Sequence, residues 1–286
     1  MKLAKDWTEF EILDSANGEK LERWGSVILK RPDPQIIWEG NISDKLTNAS
    51  YHRSNKGGGY WEELKQTPKS WLVNYKDLTF NIKLMGFKHT GLFPEQAVNW
   101  DYMMKKIKDA KSEVKVLNLF AYTGGATVAC LKAGASVVHV DSSRGMVDWA
   151  KENVKSSGLE DKKVRFLVDD VIKFVEREIR RESKYDAIIM DPPSYGKGAN
   201  NEVWDIEKDL YKLLTLCSNI LTEKPLFVIV NSYTSGFSKE VLDNLLKLTI
   251  AKKYKGFISS EEIGLLIKNN NLVLPCGIYG RFESEE

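Results

Sequence analysis

Apolar and polar positions follow two alternating periods over residues 112–250. Short apolar runs bounded by turn residues predict buried strands, and stretches with apolar positions three and four apart predict amphipathic helices. The predicted strands are Lys115–Phe120, Val137–Val140, Val164–Leu167, Ala187–Met190 and Leu226–Val230. The predicted helices are Ala126–Lys132, Gly145–Ser157, Val171–Arg181, Glu207–Ile220 and Lys239–Thr249. This alternation predicts an α/β fold in which helices cover both faces of a parallel sheet.

The two ends of the chain follow other patterns. Residues 253–260 and 272–282 have the pattern of two further strands, joined by a polar stretch. The N-terminal part is rich in Trp, Gly and Asn and contains short strand-like runs, which indicates a small β-rich lobe. We therefore expect three regions: a β-rich lobe (1–88), a bridging segment (89–111) and an α/β domain (112–286).

The first predicted strand runs into a glycine turn and then into a helix. Gly124 and Gly125 stand at that turn, where the absence of a Cβ lets the backbone approach a ligand closely. Backbone N–H groups and the N-terminus of the helix then face the ligand. The second strand ends at Asp141, whose carboxylate suits the two ribose hydroxyls of a nucleoside. The turn and the acid together predict a nucleoside site.

The spacing of the glycines argues against a dinucleotide as the ligand. The segment YTGGA (122–126) lacks the G-x-G-x-x-G fingerprint, and the chain contains no G-x-x-x-x-G-K-[ST] phosphate loop. A dehydrogenase, which would share the strand, the turn and the ribose acid, is therefore disfavoured. S-adenosylmethionine fits better, because it contains an adenosine and an amino-acid tail and carries no phosphate.

A second candidate site lies at the end of the fourth predicted strand. The strand must stop at Asp191-Pro192-Pro193, because proline cannot donate a hydrogen bond to a sheet ladder. The next three residues, which include Tyr195, are expected to form a loop over the crevice at the strand ends. The Asp191 carboxylate and nearby carbonyls can accept hydrogen bonds from an amino group, and Tyr195 offers a stacking face. The alternative is a surface turn that only terminates a strand.

Composition limits the choice of function. The 286 residues are 42% hydrophobic and 29% charged, and a net charge of +2 does not indicate a tight non-specific nucleic-acid binder. Cys130, Cys217 and Cys276 lie too far apart for a zinc site, so no metal is expected. A charged N-terminus, and no apolar run near the about 20 residues that span a membrane, favour a reduced, cytoplasmic protein.

One segment is basic although the chain as a whole is not. Residues 45–88 contain eight Lys or Arg and three Asp or Glu, which gives a local net charge of +5. Within it, Arg53, Lys56 and Tyr60 belong to a run of cations, aromatics and glycines that can hold phosphates and stack bases. The alternative is a solvated loop whose aromatic side chains pack inward.

Several motifs together resemble one known family. The segments FAYTGG, VDSSRGMVDWAKEN, VDDV and DPPSYGKG resemble class I S-adenosylmethionine-dependent methyltransferases. More narrowly, the chain is similar to bacterial large-subunit ribosomal RNA methyltransferases that act on cytosine C5 or guanine N7. The segments TGLFPEQ, DSANGEKLERWG and RPDPQIIW are similar to a stand-alone subgroup. The resemblance covers nearly the whole chain and implies a Rossmann-like seven-stranded sheet, transfer of a methyl group, and RNA as the substrate.

The resemblance also implies roles for individual residues. The cofactor-binding residues would be Phe93, Asn118, Ala121, Tyr122, Gly124, Gly125, Asp141, Ser142, Asp170 and Val171. The catalytic turn would comprise Asp191, Pro192, Pro193 and Tyr195, and the substrate-binding residues would be Arg53, Lys56, Tyr60, Asn231 and Ser232. Asp141 would accept the ribose hydroxyls, and Asp170 would meet the adenine amino group, with Asp169 as its rival. Alternatively, Asp141 caps a helix, and Asn118 and Phe93 are ordinary strand and core residues.

The identity of the accepting atom depends on a cysteine. Methylation of cytosine C5 needs a nucleophilic cysteine, since that carbon is otherwise unreactive. In the cytosine-C5 relatives this cysteine follows the fifth strand, where residues 230–235 of this chain are VNSYTS. Cys276 is the one plausible substitute, and it can equally be a buried small residue. The resemblance therefore favours a nitrogen acceptor, with Asn231 or Ser232 bonding the base.

Two other classes of function stay open on the sequence. The same cofactor domain serves methyltransferases that act on small molecules or on proteins. A non-catalytic nucleoside-binding factor is the other class, although the rigid turn at Asp191 argues against it. The sequence is compatible with a monomer or a homodimer.

Overall fold

The computed structural model describes residues 1–54, 58–198 and 202–285. Its contacts divide the chain into two compact units. The N-terminal unit comprises residues 2–98 and 264–276, and the C-terminal unit comprises Met1, residues 99–263 and the chain from residue 277 onward.

The N-terminal unit is built mainly from strands. They are β1 (Lys2–Leu3), β2 (Phe10–Ala16), β3 (Glu19–Trp24), β4 (Val27–Pro32), β5 (Ala49–Arg53), β6 (Gly59–Glu63), β7 (Trp71–Tyr75) and β8 (Leu78–Ile82), with 3₁₀ helices at Asp44–Leu46 and Pro94–Gln96. Strands β2 to β6 form one sheet in chain order, in which β4 and β5 are parallel and the other neighbours are antiparallel. Strands β7 and β8 form a separate antiparallel pair. The β-rich lobe that the composition predicts is thus present.

Residues 264–276 belong to this unit, although the sequence pattern groups them with the α/β domain. The backbone gives the reason. Ile267 forms a β-bridge with Ile12, and the Lys268 N–H donates to the Ile12 carbonyl at 2.9 Å. The chain therefore returns to the first strands of the N-terminal unit shortly before its last residues.

The C-terminal unit alternates strands and helices. Its strands are β9 (Lys115–Leu119), β10 (Ser136–Asp141), β11 (Val164–Val168), β12 (Ala187–Met190), β13 (Tyr195–Lys197), β14 (Val203–Asp205), β15 (Phe227–Ser232), β16 (Gly256–Leu266) and β17 (Val273–Ser284). Its helices are α1 (Ala97–Asp109), α2 (Gly125–Lys132), α3 (Arg144–Ser156), α4 (Val171–Arg180), α5 (Ile206–Cys217) and α6 (Lys239–Leu248). None of the helices in the described part of the chain is long and apolar enough to cross a membrane.

In the C-terminal unit, the strands of the large sheet have the order β16-β17-β15-β12-β9-β10-β11. Neighbouring strands from β15 to β11 run parallel, and β17 runs antiparallel to β15. The seven strands from β16 to β11 confirm the predicted α/β sheet. The chain moves outward from β9 through β10 to β11 and then returns to the other side of β9 as β12. Such a reversal opens a crevice at the carboxyl ends of the central strands.

Helices cover both faces of this sheet. Helices α2 and α3 pack on β10, while residues of α4, α5 and α6 share one buried cluster with the opposite face of the strands. Side chains in that cluster include Leu117, Leu119, Val138, Val140, Phe174, Leu210, Leu213, Val228, Val230 and Leu242. Because both faces are buried, these strands are apolar throughout rather than alternating, which is what made them visible in the sequence.

A buried ion pair lies within the N-terminal sheet. The Arg31 guanidinium donates to both carboxylate oxygens of Glu22, at 2.6 and 2.8 Å, and the Trp24 indole N–H donates at 3.2 Å. Burial acts to raise the pKa of Glu22. The charges of Arg31 and Lys20 and the hydrogen bonds from Arg31 and Trp24 outweigh it and lower the pKa from 4.5 to about 2.

The shifted pKa of Glu22 makes the stability depend on pH. A carboxyl group whose pKa is lower in the folded state stabilises the fold above pH 4.5 and loses that contribution as the pH falls toward 2. In Glu22→Gln we expect this part of the pH dependence to vanish. At pH 7 the variant should lose about 3–5 kcal/mol of unfolding free energy, because Arg31 stays buried without its partner. Urea unfolding from pH 2 to 7 measures both effects.

Exposed Glu63 provides the matched control, since Glu63→Gln changes the same chemical group in the same unit. Its unfolding curves should follow those of the unmodified protein. Equal pH profiles for Glu22→Gln and the unmodified protein would contradict the assignment.

Candidate active site

The chain turns sharply where β9 ends. Phe120 and Tyr122 have φ values of +52° and +50°, in the left-handed region that residues other than glycine seldom occupy. Backbone strain of this kind concentrates at functional sites. The Ala121 N–H donates to the Val140 carbonyl at 3.0 Å, which fixes the turn to the neighbouring strand β10. We call residues 120–125 the glycine loop.

The two glycines of this loop are required by packing as well. Gly124 has a φ of +80°, and a Cβ on it would lie 2.9 Å from the Ala150 Cβ. A Cβ on Gly125 would lie 2.9 Å from the ring of Trp100. Helices α3 and α1 thus approach the loop on the sides where the two glycines lack a side chain. This packing is a second reason for glycine, besides the close approach to a ligand that the sequence predicts.

Asp141 holds the glycine loop and the loop after β10 together. Its Oδ2 accepts the Tyr122 N–H and its Oδ1 accepts the Ser143 N–H, both at 2.8 Å. Each carboxylate oxygen has a second lone pair, so the group can still accept two ribose hydroxyls. Burial raises the pKa of Asp141, and the two backbone donors oppose that shift. The N-cap of α3 is Ser143, so Asp141 is not the helix cap, and Ser142 lies exposed beside it.

A buried hydrogen-bonded chain lies beneath the glycine loop. The Asn118 amide donates to Thr127 Oγ1 at 3.0 Å, and that hydroxyl lies 2.9 Å from His139 Nδ1. Burial lowers the pKa of His139 to about 3, so the imidazole is neutral at physiological pH. The Asn118 amide group is therefore used within the fold. We infer that its part in cofactor binding is to support the loop.

The two acids after β11 have different partners. Asp169 forms an ion pair with Arg177, and its Oδ1 accepts the Asp170 N–H at 2.9 Å. Asp170 is the N-cap of α4, where its Oδ1 accepts the Lys173 N–H at 2.9 Å. Val171 is the first residue of that helix and is buried. Between the two rivals, the geometry favours Asp170 as the adenine contact, because Asp169 is committed to Arg177.

The proline turn follows β12 directly. In the sheet, Met190 pairs with Leu119 of β9, so Asp191 leaves the sheet beside Phe120 of the glycine loop. The segment after the prolines is not the open loop that the sequence predicts, because Tyr195–Lys197 pairs antiparallel with Val203–Asp205 as a short hairpin. This pairing fixes the backbone of the segment. Tyr195 is 58% exposed, so its ring is available for stacking.

Asn231 and Ser232 end β15, and both are buried. Asn231 Oδ1 accepts a hydrogen bond from Asn99 at 2.8 Å, and Asn99 Oδ1 accepts one from Arg281 at 2.6 Å. Ser232 Oγ accepts the Thr234 N–H at 3.2 Å. These bonds fasten the end of the strand, so the geometry does not favour the base contact expected for Asn231 and Ser232.

The remaining predicted residues lie in the N-terminal unit. Arg53 and Tyr60 are exposed on the β5–β6 pair, and the Tyr60 ring lies 5.3 Å from that of His52. Phe93 precedes the second 3₁₀ helix, and its ring lies 5.6 Å from that of His89. Lys56 lies outside the described residues.

Two contributors to the site were missed on the sequence. Asn153 of α3 donates to the Thr123 carbonyl at 2.8 Å and so anchors the glycine loop. Trp204 of β14 donates to the Pro193 carbonyl at 2.7 Å. A Trp between the acids of the segment EVWDIE is a sequence signal for a buried anchor, whereas nothing in the helix pattern distinguishes Asn153.

The groups at this site suit a nucleoside. A half-buried carboxylate for the ribose, a strained glycine loop and a capped helix start lie at the carboxyl ends of three adjacent strands.

Comparison with known proteins identifies the family. A family model described as S-adenosylmethionine-dependent methyltransferase matches residues 48–238. The crystal structure of a SAM-dependent methyltransferase from Agrobacterium tumefaciens superimposes with a TM-score of 0.93 at 32% identity, covering 99% of this chain and 93% of that one. The chain therefore belongs to the S-adenosylmethionine-dependent methyltransferases. It is an enzyme of that class, and S-adenosylmethionine is its cofactor.

Curated relatives are ribosomal RNA methyltransferases. The large subunit methyltransferase K/L of Syntrophotalea carbinolica is 33% identical over 183 residues, which are 63% of this chain and 25% of that protein. The large subunit methyltransferase K of Neisseria meningitidis is 24% identical over 263 residues, 87% of this chain and 72% of that protein. The chain thus spans about a quarter of the length of the K/L relative.

We expect Asp141→Asn to weaken cofactor binding by about 10- to 100-fold, because an amide replaces a charged hydrogen-bond acceptor. Titration calorimetry with S-adenosylhomocysteine measures the loss. The affinity of the unmodified protein should also fall as the pH falls through the raised pKa of Asp141, whereas the variant should lack this dependence.

Asp148→Asn is the control, since Asp148 lies exposed on α3 and pairs with Lys151 at 2.9 Å. It should bind the cofactor as the unmodified protein does. An Asp141→Asn protein with unchanged affinity would contradict the ribose assignment.

Proposed function

We propose that this enzyme methylates a base in RNA, with ribosomal RNA favoured as the substrate and a nitrogen atom favoured over cytosine C5 as the acceptor. The observation that supports it most is the position of the proline turn. Asp191 leaves β12 beside the glycine loop, and exposed Tyr195 follows on the hairpin. A flat amino-bearing base can stack on that ring while the carboxylate accepts its N–H.

The chain's own residues account for binding and alignment. Asp141 accepts the ribose hydroxyls, while Asp170 and the Val171 N–H meet the adenine edge. When bound, S-adenosylmethionine supplies a methyl group on a sulfonium, which is already a strong electrophile. The protein then needs mainly to align the accepting atom with that methyl and to exclude water. Asp191 orients the base through its amino group, and Tyr195 sets the plane of the ring.

The RNA substrate is supported by the names of the relatives and by the N-terminal unit. Arg53 is exposed and forms no ion pair with any other described residue. Tyr60, which is 62% exposed, follows on the paired strand. A free cation for a phosphate and an open ring for a base are the two elements of single-strand binding.

The nitrogen acceptor is supported by the state of the cysteines. Cys130 and Cys217 are buried, and burial raises the pKa of both thiols. Burial, together with the charge of Glu95, also raises the pKa of the Cys276 thiol well above its ordinary value. A thiolate nucleophile is therefore disfavoured at all three cysteines of the chain.

We expect Cys276→Ser to keep full methyl transfer, because a nitrogen acceptor needs no covalent adduct with the enzyme. The rate of transfer of labelled methyl to RNA measures it, beside the affinity for S-adenosylhomocysteine. Loss of transfer with intact cofactor binding would contradict the nitrogen acceptor and restore a cysteine mechanism.

We expect labelled methyl from S-adenosylmethionine to enter RNA or ribosomal subunits taken from cells that lack this protein. The product should be sensitive to nuclease and resistant to protease, and mapping the modified base then tests the nitrogen acceptor. Asp191→Ala should bind the cofactor but transfer no methyl group. Label in protein or in small molecules instead would redirect the proposal to those substrates.

Variants of the N-terminal unit test the RNA surface in the same assay. Arg53→Ala should lower the slope of log affinity against log salt by about 1, as expected for one lost phosphate contact. Tyr60→Ala should weaken binding at all salt concentrations, because a stacked base contributes about 1–3 kcal/mol. Exposed Arg180 and Tyr211 provide the matched controls, Arg180→Ala and Tyr211→Ala. If the test and control variants have the same RNA affinity and the same salt dependence, the proposal that Arg53 and Tyr60 bind RNA is wrong.

A further inference from the structure

Trp204 is a buried aromatic residue at the edge of the acceptor side. It lies on β14, in the segment EVWDIE, and only 7% of it is exposed. Its indole N–H donates to the Pro193 carbonyl at 2.7 Å, which is a short bond for this pair. Its ring lies 4.7 Å from the ring of Phe120, centroid to centroid. One side chain therefore contacts both the glycine loop and the proline turn.

The rest of the turn is held from the same side. The Ser194 carbonyl accepts the Ile206 N–H at 3.0 Å, and Ser194 Oγ lies 2.7 Å from Thr234 Oγ1. The carbonyls of Pro193 and Ser194 are thus both taken by β14 and by the start of α5. Since neither proline has an N–H, the direction in which the turn presents its oxygen atoms is set largely by these carbonyl bonds.

The contact with Phe120 adds a second constraint. Phe120 has a φ of +52°, so its backbone is strained and needs surrounding contacts to persist. The Trp204 ring supplies one of these contacts from the acceptor side of the sheet. A shift of the indole would therefore move the proline turn and the glycine loop relative to each other.

We propose that Trp204 is a positioning residue for methyl transfer, which sets the distance between the bound cofactor and the accepting atom. Its N–H holds the Pro193 carbonyl away from the acceptor, and this orients Asp191 and the Pro192 carbonyl toward it. Its ring keeps the glycine loop in register with that turn. This inference rests on the proposed function for its kinetic test, and on the fold alone for its structural test.

The decisive variants remove the N–H and keep an aromatic ring. Trp204→Phe does so with a smaller ring, and replacement of Trp204 by benzothienylalanine does so at nearly constant size. Trp71→Phe is the matched control, because the Trp71 indole donates to the Trp24 carbonyl at 2.9 Å in the N-terminal unit. Trp204→Ala removes the ring as well and should also weaken binding of S-adenosylhomocysteine.

For both N–H-free variants we expect kcat to fall about 10- to 100-fold, as expected for a misplacement near 1 Å of the reacting groups. KM for RNA, affinity for S-adenosylhomocysteine and the unfolding midpoint should match those of Trp71→Phe. Parallel losses in kcat, cofactor affinity and stability would reduce Trp204 to a core residue. Full activity would also overturn the proposal.

Hydrogen–deuterium exchange of residues 190–198 gives a test that needs no substrate. Exchange at the Gly196 and Gly198 amides, which belong to the β13–β14 ladder, should be faster in both N–H-free variants than in Trp71→Phe. If the unmodified protein methylates no RNA, the proposed function fails while this measurement still decides the role of Trp204. Unchanged exchange in this segment would overturn that role whatever the substrate proves to be.

Discussion

The carboxylate of Asp141 is the point at which the cofactor side of the sheet is held together. It accepts one N–H from the glycine loop and one from the loop after β10. The end of β11 is held by the same residue, because the Asp169 N–H donates to the Asp141 backbone carbonyl at 3.0 Å. Three consecutive strand ends therefore share one residue, and the strained backbone at Tyr122 persists because the Asp141 carboxylate fixes its N–H.

The acceptor side is organised differently. The cofactor loops are held by main-chain donors on a side-chain carboxylate, whereas the proline turn is held by an indole and by main-chain bonds to its carbonyls. The two sides meet between β9 and β12, where the strand order reverses. The reaction needs little chemistry from the protein. The fold therefore mainly has to hold these two sides at the correct distance and orientation.

Much of this could be predicted from the sequence. The strands of the central sheet are buried on both faces, so their apolar runs stand out against helical periods, and Gly124 and Asp141 follow from their places at strand ends. The hairpin at Tyr195 could not be predicted, because strands of three residues have no period to detect. The side-chain hydrogen bonds of Asn118 and Asn231 could not be predicted either. The partner of Asn118 lies on the next helix, and that of Asn231 is distant in sequence.

Residues 264–276 have a consequence for the order in which the protein is made. Glu11 and Asp14 reach partners at Lys268 and Asn269, at 3.0 and 3.2 Å, which are synthesised long after them. A ribosome delivers the N-terminal strands first, yet their unit lacks part of its sheet edge until the rest of the chain has followed. Pairing across so long a separation is slow. The N-terminal unit can therefore be completed only after residues 99–263 of the C-terminal unit have been translated.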